Sequence, residues 1–205
     1  MQTDEVALPL GDSRRESLLS AAVEVFARYG FRKTSMEEVA RAAGVSRQGL
    51  YLMFDDKQEL FRKALTHKLT RQLSAAIHAL SDAHAALETR LVAACDEWSG
   101  QFVGIRGSDA ADLMCASTSL AGETLIHYES LFEMALVHAI ADSPLAQVCA
   151  ASGISAADAA RALHATARGL KHSSKSRQEF VQCMTAAARL YCASLKPNPR
   201  TGHRS

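Results

Sequence analysis

The sequence predicts an all-α protein in which a small N-terminal three-helix unit precedes a larger helical domain. Three observations carry the prediction. Apolar residues recur at helical spacing along most of the chain, as Leu18, Ala22, Val25, Phe26 and Tyr29 do, and no alternating run bounded by turn residues suggests a strand. With 4 prolines and 11 glycines in 205 residues, the chain is too poor in turn formers for a many-stranded β fold. Near the N-terminus, Ser13-Arg-Arg-Glu16, Ser35-Met-Glu-Glu38 and Asp56-Lys-Gln-Glu59 each place a short capping side chain three residues ahead of a glutamate. That spacing lets the first side chain accept an unpaired N–H at a helix start while the glutamate reaches back to the cap residue's own N–H.

These signals map a helix over 13–29, a short one over 35–43, another over 46–53 and a long one over 56–80. Gly30 suits a left-handed residue ending the first helix, and Gly44 the turn after the second. Further on, Leu87, Leu91, Ala94, Trp98 and Phe102 form one stripe, and Leu125, Tyr128, Phe132 and Ala135 another. Residues 1–11 read as a loose arm, 12–63 as the N-terminal domain, 64–195 as the larger domain and 196–205 as a disordered tail.

Composition narrows the function. Hydrophobic residues at 48% and charged residues at 22% describe a globular chain. A formal net charge of +1 names no partner by itself. Acidic residues in the first sixteen positions are wrong for a signal peptide, and no stretch approaches the roughly 20 apolar residues that span a bilayer, so no membrane partner is expected. Five scattered cysteines without a CxxC pair suit a reducing cytoplasm. No nucleophile elbow, P-loop or dinucleotide fingerprint points to catalysis, no metal-ligand spacing is present, and no cofactor is expected.

The stretch from Ser35 to Phe54 reads as a helix-turn-helix. Met36, Val39, Ala40 and Ala43 give its first helix an inner face, and Val45, Leu50 and Phe54 do so for its second. Arg47, Gln48, Gly49, Tyr51 and Leu52 remain outward, near the N-terminal end where a recognition helix meets base edges. Arg47 can fork onto a guanine edge and Gln48 can pair with an adenine edge. Ser35, Ser46, Tyr51 and Lys57 are placed for phosphates. Between residues 26 and 54, five basic side chains (Arg28, Arg32, Lys33, Arg41, Arg47) oppose Glu37 and Glu38, a local excess of +3 by five minus two.

The run Gly30-Phe-x-x-Thr34-Ser35-Met-x-x-Val39-Ala40-x-x-Ala43-Gly44-Val45-Ser46-x-x-x-Leu50-Tyr51-x-x-Phe54-x-x-Lys57-x-x-Leu60 resembles the DNA-binding domain of TetR-family transcriptional regulators. The resemblance covers about residues 13–63. It implies an all-helical homodimer that binds double-stranded DNA at a palindromic operator, with a C-terminal effector-binding and dimerisation domain and release by a small-molecule effector. It supports Arg47 and Gln48 as base readers, and Ser35, Ser46, Tyr51 and Lys57 as phosphate contacts. Met53 stands where many members carry histidine or tyrosine, so no backbone contact is assigned there.

The larger domain carries no motif of that specificity. Trp98, Phe102, Met114, Cys115, Glu123, His127 and Tyr128 are the candidate effector-pocket residues, apolar walls with a few polar anchors, and the same stripe also suits plain core. Helices over 155–172 and 174–195 read as a dimerisation pair. Ala160, Leu163, Ala167 and Leu170 supply a small-residue stripe on one, and Phe180, Met184, Ala187 and Tyr191 supply bulk on the other. Intrachain packing can use the same faces. A regulator responding to thiol oxidation or metal, and an all-α enzyme or adaptor, are the alternatives.

Overall fold

A computed structural model describes residues 12–103 and 108–193. The expected arm and tail lie outside them. The described residues form α1 (Asp12–Lys33), α2 (Met36–Ala42), α3 (Arg47–Tyr51), α4 (Lys57–Ser81), α5 (Leu87–Ser99), α6 (Ser108–Ala141), α7 (Leu145–Ala151), α8 (Ala156–Ser173) and α9 (Arg177–Cys192). A 3-10 turn, Gly100–Phe102, follows α5, and no strand occurs among the described residues.

The helix-forming signals in the sequence act close to where they are expected, with local departures. Ser13 lies inside α1, which begins at Asp12, so it caps nothing. Ser35 and Glu38 complete a reciprocal capping box on α2. Asp56 accepts from the Glu59 N–H at 2.7 Å, while Glu59 reaches back one residue further than predicted, to the Asp55 N–H at 2.8 Å. Gly30 interrupts α1 with φ 76°, a left-handed turn that an L side chain resists. Gly44, at φ 66°, ends α2. Its N–H donates to Arg41 O at 3.3 Å and the Val45 N–H to Ala40 O at 3.0 Å, so the carbonyls at the end of α2 are satisfied before the chain turns into α3.

The chain divides into two compact units. The first runs to Arg71 and also takes in Arg106–Ile126; the second holds Gln72–Ile105 and the residues from His127 on. Residues 64–71 and the first part of α6, which the sequence reading assigned to the larger domain, therefore group with the N-terminal helices. In the first unit, Leu18, Ala22 and Phe26 of α1, Val39 and Ala40 of α2, Leu50 of α3, Leu60, Phe61 and Ala64 of α4, and Ala116 of α6 share one core. Phe26 meets Phe61 edge-on at 5.0 Å. Ala40, 3% exposed, leaves room for α2 and α3 to cross closely.

In the second unit α9 packs against α5 and α8. Leu91, Ala94, Cys95 and Trp98 of α5, Phe132, Leu136 and Ile140 of α6, Leu163 and Ala167 of α8, and Phe180 and Met184 of α9 are buried. Ion pairs tie α5 to α9. Arg177 forks onto Asp96 at 2.7 and 2.9 Å, and Arg189 meets Glu88 at 2.9 Å. Gly100 leaves space for that Asp96 carboxylate, because a Cβ there would collide with it. No single helix among the described residues is long and apolar enough to cross a membrane.

Candidate nucleic-acid interface

The geometry of the helix-turn-helix starts from its frame. Leu50 and Phe54 are 0% and 1% exposed, which fixes the inner side of α3 against α1 and α2 and turns its other side outward. Ser46 caps α3 by accepting the Gly49 N–H at 2.9 Å, and its own O–H stays available to an outside acceptor. Arg47 is the first residue of α3, with its side chain 66% exposed. Its ion-pair partner Glu37 is 3.9 Å away and equally open, and the guanidinium lies 5.8 Å from the centre of the Tyr51 ring. Such an exposed contact is worth little and yields readily to a base edge. Gln48 is exposed beside it, Tyr51 is 44% exposed, and Leu52, at 70%, extends the same outward side with an apolar group.

Two of the expected phosphate contacts are engaged elsewhere. Lys57 is half-buried, and its Nζ donates to Phe31 O at 3.0 Å, Thr34 O at 3.0 Å and Arg32 O at 3.4 Å while lying 4.6 Å from the centre of the Phe31 ring. All three of its protons are used within the chain. The cause is Gly30, whose turn swings the following carbonyls toward the start of α4. Ser35 is similar. Its amide and hydroxyl both donate to Glu38 Oε2, at 2.8 and 2.9 Å. These bonds to Ser35, backbone first and side chain second, hold the Glu38 carboxyl below its ordinary pKa against slight desolvation, with Arg41 and Lys57 adding to the shift. Ser35 and Lys57 thus brace the frame, and Arg47, Gln48, Ser46 and Tyr51 are what it presents.

Of the predicted effector residues, Met114, Cys115 and Glu123 fall in the first unit and Trp98, His127 and Tyr128 in the second. Within the first unit, Met114 is 61% exposed, and Cys115 and Glu123 are exposed too. In the second unit His127 is exposed, Tyr128 is half-buried against the His127 ring at 5.6 Å, and Trp98 is buried, stacked on Phe132 at 5.0 Å. The side chain of Phe102 lies outside the described residues. Helical spacing alone cannot tell a pocket wall from core or surface. A recess of about 380 Å³ in the first unit is lined by Glu16, Ser20, Glu24 and Arg71 among others, and by none of the predicted residues.

The residues predicted for the dimer face are covered to differing degrees by their own chain. Ala160, Leu163, Ala167, Phe180 and Met184 are fully buried within one chain, and Leu170, Ala187 and Tyr191 are half-buried. Their apolar stripes meet each other and α5. The sequence reading also missed His164, 3% exposed on α8, whose Nε2 lies 2.8 Å from Glu129 Oε2 and whose Nδ1 lies 3.6 Å from Glu133 Oε2. Burial disfavours the charged form of Glu129, but His164, Lys171 and Arg168 outweigh it and its pKa is lowered. The i, i+4 spacing of Glu129 and Glu133 was the available signal. Among the described residues no group of three His, Cys, Asp or Glu side chains stands where it could hold a metal.

The fold and the outward side of α3 define a helix-turn-helix protein. Residues 18–64 match the model of the tetR family of bacterial regulatory proteins. The chain is 43% identical over 54 residues to the uncharacterised HTH-type transcriptional regulator YfiR of Bacillus subtilis, a match covering 26% of each chain. It is 41% identical over 69 residues to the HTH-type transcriptional activator FasR of Mycolicibacterium smegmatis, covering 34% of this chain and 32% of FasR. The matched region thus spans only about a quarter to a third of these relatives. The TetR-family regulator PfmR of Thermus thermophilus superposes with a TM-score of 0.57 at 20% identity, over 88% of this chain and 98% of PfmR, a likeness that extends the fold to the C-terminal helices.

Proposed function

We propose that the protein is a sequence-specific DNA-binding transcriptional regulator, a homodimeric cytoplasmic repressor without enzymatic activity, released from a palindromic operator by a small-molecule ligand. The observation that carries this reading is the exposed Arg47 and Gln48 on a capped, braced α3 in a domain of a regulatory family. Arg47 and Gln48 read base edges, while Ser46 and Tyr51 hold the backbone alongside. A second copy packs on the outward side of α8 and α9 rather than on their buried stripes. Ala162, Ala165 and Gly169 are exposed there, no atom lies within 4 Å of a Cβ built at Gly169, and Leu190 is 79% exposed. Two recognition helices one DNA turn apart, roughly 34–36 Å, would then meet both half-sites. The thiol-responsive alternative is left with Cys115 as its one exposed cysteine. The buried Cys95 thiol is pushed up to about 12, by burial first and Asp96 second, and is inert.

Electrophoretic shift with duplex from the region flanking its own gene tests the reading. Retention of that duplex over random DNA of equal length is the expected result. Equal retention of both, or of neither, would refute sequence-specific regulation.

A further inference from the structure

We infer that Asp112, on α6 and outside the helix-turn-helix, is a positioning residue for DNA binding: its carboxylate fixes the junction between α1 and α2, from which the recognition element is hung. The inference rests on the DNA-binding reading above and adds to it a residue that no motif contains. Asp112 Oδ2 accepts the backbone N–H of Arg32 at 2.7 Å, and Oδ1 lies 3.2 Å from Arg32 Nε. The Asp112 side chain is 16% exposed, whereas that of Arg32 is 83% exposed, so the carboxylate is the fixed partner and the junction is what it holds. One turn further along α6, Ala116 is buried in the core shared by α1, α2 and α3, which anchors the helix that carries Asp112.

The junction needs holding. Gly30 is non-helical inside α1, so the short segment Phe31–Lys33 that follows it is set off from the rest of that helix before the chain enters α2. Lys57 gathers its carbonyls from the α4 side, and Asp112 takes an N–H from the α6 side. Lys57 supplies donors only and Asp112, when ionised, acceptors only, so neither can replace the other. Three residues past Arg32, Ser35 caps α2. A shift at Arg32 is therefore passed into α2 and, through the tight turn at Gly44, into α3.

The sign of the effect separates positioning from electrostatics. An acidic group close to a DNA-binding surface repels phosphate, so removing it should on charge alone tighten binding and free Arg32 for the backbone. A positioning role demands the opposite. In the full-length protein, with the flanking-region duplex as probe and well below the unfolding temperature, Asp112→Ala should bind roughly tenfold more weakly, the scale of one hydrogen bond to a charged group. Asp112→Asn, which keeps an acceptor for the Arg32 N–H, should recover most of the loss. Alanine is the best helix former, so α6 itself is not weakened. Hydrogen exchange without DNA gives a second readout, with the Arg32 amide exchanging faster in Asp112→Ala than in wild type. Binding by Asp112→Ala as tight as wild type or tighter, or an unchanged Arg32 amide, overturns the inference. A wild-type protein that retains no duplex refutes the DNA-binding reading instead.

Discussion

Lys57 offers the sharpest test, because its position in the sequence and its position in the fold lead to opposite results. As a phosphate contact, its loss would weaken binding to every sequence alike and lower the salt slope by about one unit, without touching stability. The structure instead places the ammonium on three backbone carbonyls and against the Phe31 ring. Lys57→Met keeps the stem and removes the charge. Two of the three bonds are partly shielded and one, at 3.4 Å, is exposed. Hydrogen bonds to a charged group contribute about 1.5–3 kcal/mol each, but bonds sharing one ammonium are not additive and the exposed one adds little, so the net loss is about 2–3 kcal/mol. For a chain of this size that lowers Tm by roughly 4–12 °C. Circular dichroism melts of wild type and variant, with salt titrations of duplex binding in the cold, measure both quantities. An unchanged Tm with a salt slope reduced by one would refute the brace and restore the phosphate contact.

Other consequences follow from the same geometry. Arg47→Ala, removing an exposed side chain with one loose partner, should leave the melting curve within about 0.5 kcal/mol of wild type, yet cost roughly 1–3 kcal/mol at a single base position; equal loss on specific and random duplex would mean a phosphate contact only. Leu163→Ala should cost about 2–5 kcal/mol of stability at any protein concentration, whereas Leu190→Glu should leave the fold intact and shift sedimentation toward monomer; the reverse pattern would return the dimer face to the buried stripe. Glu38, whose folded pKa lies below its ordinary 4.5, contributes stability above the unfolded value that is lost as pH falls through the folded one. Glu38→Gln should therefore flatten the acid limb of stability against pH below about 4.5, and an identical limb in both proteins would remove the capping box from the account.

The recognition element was legible in the sequence because every signal that builds it is local. The Ser35 and Glu38 box, the glycines at 30 and 44, and the inner residues Val39, Ala40, Leu50 and Phe54 lie within two dozen positions, and each acts on backbone only a turn or two away. The all-α class was equally legible, since helical periodicity is a property of each segment alone. Periodicity says which residues lie on one side of a helix and not what covers them. For that reason the sequence alone does not show that Leu163 and Phe180 are buried where α5, α8 and α9 of one chain meet. The two braces of the junction lie further still from sequence pattern. Lys57 reaches carbonyls 23 to 26 positions away, and Asp112 an amide 80 positions away. Those meetings depend on how Gly30 turns the chain and on where α6 crosses the first unit. Charge and reach at a residue are written in the sequence; only the packed helices decide whether that charge meets DNA or the chain's own backbone.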